Sequence, residues 1–172
     1  MAEKSFSMKI AYKDFMKEYE ELGHMKLVDN DSIGQGKYYI PHHGIWKQTS
    51  TSSKMRVVFD ASMKTTSGKA LNDVVLKGEK LQTDIIQVLT LFRFPRYVFT
   101  ADVCKMYRQI LVNQEDRPYQ RILWREDPSQ PIKEYELQTV TYGVTSSPYV
   151  CLLEFSDADS SESLLGLQWQ PS

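Results

Sequence analysis

Met8, Tyr12, Phe15, Tyr19 and Leu22 recur at alternating spacings of four and three, which on a helix places all five on one face. Ser7 precedes this stripe and Gly23 follows it, so the spacing predicts an opening amphipathic helix with a glycine terminator. After that helix the apolar pattern changes to short β-branched and aromatic runs. Lys37-Tyr38-Tyr39-Ile40, ended by Pro41, follows a loop over residues 24–37 that contains Asn30, Gly34 and Gly36. The Ser/Thr/Lys/Gln tract 47–53 reads as a flexible turn. Lys54 to Asp60 reads as a strand entered from a basic loop. A long polar loop through Lys64, Gly68 and Lys69 leads to Thr83, the expected N-cap of a helix carrying Ile85, Ile86, Val88, Leu89 and Phe92. Pro95 stops that helix, and Tyr97-Val98-Phe99 reads as a buried strand ending in Ala101-Asp102.

Gln120 to Trp124 and Glu134 to Val140 are strand-like and are joined by the turn residues Asp127 to Pro131, which predicts a hairpin. Ser147 followed by Pro148 starts a last helix, with Val150, Leu152, Leu153 and Phe155 as its apolar surface. Helix, strands, helix, strand, hairpin and helix in that order make an α+β chain. At 172 residues it can bury one core, and 41% hydrophobic with 12% aromatic residues is more than a disordered chain carries. Beyond Phe155 the pattern stops: Ser156 to Ser163 is acidic and of low complexity, and Leu164 to Trp169 is a short apolar segment with nothing around it.

No run of 18 apolar residues is present and the N-terminus lacks a signal-peptide core, so an intracellular protein without a membrane span is expected. Cys104 and Cys151 have no CxxC partner and no adjacent histidine, which leaves them as packing residues. His24, His42 and His43 offer no metal site, since neighbours on an extended strand face opposite sides, and are expected at the surface. The net charge of -1 conceals an asymmetry. Residues 47–133 hold 15 lysines and arginines against 9 acids, whereas residues 134–172 hold 6 acids and no base. A basic middle suits a polyanion such as nucleic acid or a triphosphate, or simply a solvated surface of mixed charge.

Asp102 ends an apolar run, a place from which a carboxylate can hold Mg²⁺, although an aspartate there is more often a helix N-cap. Three longer runs add to this: Lys54 to Val75 (KMRVVFDASMKTTSGKALNDVV), Val98 to Val112 (VFTADVCKMYRQILV) and Tyr142 to Val150 (YGVTSSPYV). In order and approximate spacing they resemble reverse transcriptases, most closely those of Bel/Pao-type LTR retrotransposons. The opening YKDFMKEYEELGHM and the YYIPHH segment are similar to the same family, so the resemblance covers roughly residues 8–155.

The resemblance implies the fingers and part of the palm of a right-hand polymerase. Residues 1–36 would be the N-terminal helix and loop of the fingers, 37–97 the fingers, 98–155 a partial palm, and 156–172 an acidic linker and orphan tail, expected to be disordered. Asp102 would be the first palm carboxylate, binding both Mg²⁺ ions, with the Val103 backbone carbonyl as a further ligand. Tyr107 matches the residue that stacks under the deoxyribose and excludes a 2′-hydroxyl. Arg56 matches the fingers arginine over the incoming base and triphosphate, with Lys54 as a second cation. Tyr142 and Gly143 match the loop beside nucleotide and template, although retroviral relatives commonly have a glutamine there. The implied partners are an RNA or DNA template-primer and dNTPs. Arginine's planar fork and a nearby lysine suit a triphosphate physically. Without the resemblance, Arg56 and Lys54 read as a solvated strand edge, Tyr107 as a packing residue and Tyr142-Gly143 as a turn.

Two-metal nucleotidyl transfer needs carboxylates from more than one element. The family supplies the others as an adjacent Asp-Asp pair, and no Asp-Asp dipeptide occurs in these 172 residues. Asp157-Ala158-Asp159 reads as linker, and Leu164 to Pro171 is similar to a segment that relatives carry well beyond the palm, which suggests an internal deletion. Loss of the palm hairpin would expose sheet edges and apolar helix surface, with self-association as the expected result. Three readings remain: an RNA-directed DNA polymerase by ancestry that is inactive alone, a non-catalytic nucleic-acid-binding remnant, and a decayed transposon product without function.

Overall fold

The computed structural model describes residues 2–48 and 53–160, with side chains over 6–46 and 55–154. The chain is α+β. Helix α1 (Ala2–Glu21) is followed by β1 (Met25–Leu27), β2 (His42–Gln48), β3 (Ser53–Phe59), the short α2 (Leu71–Val74), α3 (Ile85–Leu91), β4 (Arg121–Trp124), β5 (Lys133–Leu137) and α4 (Ser147–Ser160). Single 3₁₀ turns occupy Asn30–Ser32, Met106–Gln109 and Arg117–Tyr119.

The apolar stripe of α1 meets the core through Tyr12, Phe15 and Tyr19, joined there by Met16, which lies outside the stripe. Met16 and Tyr19 are fully buried, and Tyr12 and Phe15 pack beside them against Ile122, Tyr135 and Leu137 of one sheet and Phe59 of the other. Leu22 lies past the last turn and is exposed. Gly23 takes the left-handed conformation (φ 72°), while its N–H bonds to the Glu20 carbonyl and that of His24 to the Tyr19 carbonyl. That pair of bonds is the Schellman ending, and it turns the chain straight into β1.

β1, β5 and β4 form a three-stranded antiparallel sheet in that order, and β2 pairs with β3 as a separate antiparallel ribbon from His42↔Phe59 to Gln48↔Ser53. The expected hairpin of the chain's second half is present. The expected strand at Lys37 to Ile40 is reduced to one parallel bridge, Tyr39↔Arg121, because the Lys37 and Tyr38 N–H groups turn to the Pro118 carbonyl. The strand forms instead after Pro41. Both strands of the ribbon also reach into the tract read as a turn, leaving only 49–52, outside the described residues, to connect them.

Arg121, an arginine in a core strand, is 4% exposed. Its guanidinium donates to the Ser32 carbonyl (2.6 Å) and to Glu134 (3.2 Å), and its Nε lies 3.5 Å from a Glu136 carboxylate oxygen. Glu134 also accepts from the Gly34 N–H and the Tyr39 hydroxyl, each at 2.9 Å. Gly36 is needed beside this cluster, since a Cβ there would lie 2.6 Å from the Tyr39 ring. The loop over residues 29–39 is thus pinned to β4 and β5 by buried charge.

Four further expectations are corrected. The residues from Tyr97 to Val103 form no strand, and Tyr97 and Phe99 are 78% and 91% exposed. A strand of this kind needs a ladder neighbour, and β5 already pairs on both sides with β1 and β4 and is prolonged by the Leu111↔Thr139 bridge. The N-cap of α3 is Asp84, whose carboxylate accepts from the Ile86 N–H, not Thr83. Cys104 is exposed whereas Cys151 is buried. Finally, α4 continues through Ser160 into the stretch expected to be disordered, as Ser and Asp only modestly weaken a helix already started. Residues 161–172 lie outside the described residues. Among the described helices, none is long and apolar enough to cross a membrane.

His42 is not a surface residue. It is half-buried among Tyr12, Phe59 and Trp124, bonded through Nδ1 to the Tyr12 hydroxyl and through Nε2 to the Leu123 carbonyl (3.1 Å). His43, its neighbour, is exposed. Burial holds the His42 imidazole below its ordinary value of 6.5, with His43 adding to the effect, and burial pushes the Tyr12 phenol up to about 12.

Two consequences are measurable. Glu134→Ala leaves Arg121 with a more distant counter-charge and strips two further donors, so stability is expected to fall by about 2–3 kcal/mol in urea unfolding; an unchanged midpoint would remove the cluster from the structure's supports. For His42, the folded value is depressed, so between it and 6.5 the unfolded state binds the extra proton. Stability is therefore full above 6.5 and declines as the pH falls through that value. His42→Gln is expected to flatten this acid slope, leaving the part due to His24, which is held down by burial and by Arg108 and Lys105.

Candidate nucleotide-binding site

The loop after β5 is fixed by contacts from three separate parts of the sequence. Gly143 has φ 97°, and a Cβ there would sit 2.1 Å from the Phe59 carbonyl, so only glycine lets this loop lie on the end of β3. Asn72, in α2, donates to the Gly143 carbonyl (2.8 Å) and to the Ser62 hydroxyl (2.8 Å), and its side-chain oxygen accepts from the Thr145 N–H (2.9 Å). The Ser147 hydroxyl then bonds the Thr141 carbonyl at 2.6 Å and starts α4.

Tyr107 completes the group. It stands in the Met106–Gln109 turn, against which α4 packs, and its ring meets that of Tyr142 edge-on with centroids 4.7 Å apart. Burial pushes the Tyr107 phenol above its ordinary 10.0, and the neighbouring Cys151 and Tyr142 act in the same direction. Tyr142 itself is exposed, so the pair has one anchored and one accessible ring.

The turn bearing Tyr107 is tied to α1 on its other side. Lys105 adopts a left-handed conformation (φ 52°), and its ammonium donates to Glu18 at 2.7 Å, holding that carboxyl below its usual range. Arg108 places its guanidinium over the Phe15 and Tyr19 rings, with centroid distances of 5.3 and 4.8 Å. These cation–π contacts join the turn to the main core.

Of the expected site residues, the structure thus brings Tyr107, Tyr142 and Gly143 together, next to the last residue of the strand that bears Arg56. The Arg56 side chain is exposed on β3 opposite Ile45. Lys54 lies in β3, but its side chain is outside the described set. Asp102 and Val103 stand in the exposed segment before the Met106–Gln109 turn, and among the described residues no hydrogen bond or ion pair orients the Asp102 carboxylate. The rigid strand expected to fix it is missing. Asn72 and Arg108 belong to the quoted runs, yet neither was singled out. Asn72 had a detectable cue, an asparagine where a polar loop becomes a helix.

Among the described residues, no donor set for a two-metal centre assembles around Asp102. Magnesium takes oxygen ligands in strict octahedral geometry, and Asp102 alone neutralises neither of two ions. Among the described residues no three His, Cys, Asp or Glu side chains cluster to hold a metal. Asp157 and Asp159 occupy the last turns of α4, with side chains outside the described set. What the described residues offer is an aromatic pair beside a glycine-tight loop, with one of its rings, Tyr142, exposed. No protein-family model matches the chain, and no curated protein matches it.

Proposed function

We propose that this chain is a fragment of a Bel/Pao-type retrotransposon reverse transcriptase, fingers and partial palm, whose ancestral activity is RNA-directed DNA synthesis and which does not polymerise by itself. One observation carries the reading. The three sequence runs that carry the resemblance, separated by up to 88 positions from Lys54 to Tyr142, converge on a single loop. Asn72 comes from the first, Tyr107 from the second, and Tyr142 and Gly143 from the third. Tyr107, Tyr142 and Gly143 are positions where the resemblance expects contacts to the incoming nucleotide or its template, and Asn72 holds their loop in place.

The carboxylates of the sequence argue against activity of this chain alone. Nucleotidyl transfer requires a second group of carboxylates, and the sequence has no Asp-Asp pair to supply it. Primer extension on an RNA template with Mg²⁺ and all four dNTPs is expected to give no incorporation above background. Incorporation that disappears in Asp102→Asn would overturn the inactivity.

A second reading, nucleic-acid binding without chemistry, is favoured by the basic middle. Lys64, Lys69, Lys77, Lys80, Arg93 and Arg96 are all exposed, while Arg121 is buried against carboxylates. Two phosphate contacts already weaken binding about tenfold between 50 and 200 mM salt, and more contacts steepen this. Fluorescence anisotropy with a labelled RNA–DNA duplex is expected to show at least that loss; binding that ignores salt would reject this reading.

A further inference from the structure

The segment from Pro95 to Val103 stands apart from the rest of the molecule. Its residues are exposed and without regular structure, and among the described residues no backbone hydrogen bond reaches the amides of Tyr97 to Val103. Nothing in its composition explains that solvation. Tyr97, Phe99, Ala101 and Val103 alternate with Arg96, Val98, Thr100 and Asp102, so an extended chain here has one apolar face and one charged or small face. No residue of the segment has positive φ, so its backbone meets no barrier to extending.

We infer that this segment is the interface with a second copy of the same chain, paired antiparallel across a two-fold axis at Phe99. In that register residue numbers across the pair add to 198. Phe99 faces Phe99, Val98 faces Thr100, Tyr97 faces Ala101, and Arg96 of each copy faces Asp102 of the other. A segment whose positive end and negative end lie equally far from its central aromatic is complementary to its own reverse, the property a two-fold interface demands. Opposite charges directly across an antiparallel ladder attract, and like charges there repel. Arg96 has no carboxylate partner among the described residues and lies only over the Tyr97 ring, at 5.4 Å. Pro95 has no N–H to donate, so the ladder stops before Arg93 and Lys105 come face to face.

Exposed aromatic side chains add apolar area to the pairing. Phe94, Tyr97 and Phe99 are 79%, 78% and 91% exposed. With aromatic side chains of about 200 Å² each they present roughly 500 Å², near the upper end of the largest patch on a monomer. Ile85, Ile86 and Leu89 of the preceding helix are also more than half exposed. This pairing does not depend on the polymerase reading, although it would engage the carboxylate of Asp102.

Charge reversal tests the register. In sedimentation equilibrium the full chain is expected to be a dimer at tens of micromolar. Arg96→Glu and Asp102→Arg should each weaken the dimer about tenfold or more, because each sets like charges face to face at two places. An equimolar mixture of the two variants should regain dimer, because both cross pairs are then opposite in sign. Misfolded variants could not regain it. A monomeric wild-type chain, association unaffected by either reversal, or a mixture that stays monomeric would each overturn the inference. Dimerisation seen only after removal of residues 161–172 would also overturn it, assigning the surface to the chain's own Leu164–Trp169 segment.

Discussion

A single buried guanidinium organises the molecule. Arg121 stands in β4 where a hydrophobic side chain would normally close the core, and the fold has arranged itself to supply its partners. Two carboxylates come from β5, and a carbonyl comes from the loop after β1. An unpaired charge at such depth costs several kcal/mol, so the loop over residues 29–39 cannot drift away without exposing or stranding it. Since that loop leads directly into β2, the position of the β2–β3 ribbon over α1 follows from the same constraint.

From that ribbon the effect passes to the nucleotide-binding candidate. Phe59 ends β3 with its ring in the core and its carbonyl under Gly143. The loop carrying Tyr142 is therefore shaped by backbone contact, with Asn72 as a bracket between α2 and the loop. Tyr107 arrives from the opposite side, on a turn held to α1 by Arg108 and Lys105. The two rings meet because two independent anchorages leave them the same space.

Local periodicity made much of this legible. The α1 stripe, the β4–β5 hairpin and the Ser147-Pro148 helix start could each be read because neighbouring residues dictate them. What escaped depended on distant partners. Arg121 and His42 look like surface residues in sequence, since nothing local announces that Glu134 or Tyr12 will satisfy them. The error at Tyr97-Val98-Phe99 is of the opposite kind: an apolar run states a need for cover, not that a neighbour exists. Among the site residues, Tyr107, Tyr142 and Gly143 were named from resemblance and do lie together, while Asp102 was assigned a rigid support that is not there. Arg108 went unnoticed because an arginine over two aromatic rings leaves no pattern along the chain.

The span between α2 and the Met106–Gln109 turn has a bearing on how the backbone tolerates being cut. Proteases favour exposed chain with few amide bonds to the body of the protein, and a cut at Phe94 or Tyr97 would fall in such chain. Yet the two products would remain joined, because β1 pairs with β5, Asn72 grips Thr145, and Arg121 holds Ser32 from the other side of the break. The molecule is in this sense already two interlocked pieces connected by an exposed strap, and covalent continuity of that strap adds little to what the buried charges and strand pairing already secure within one copy.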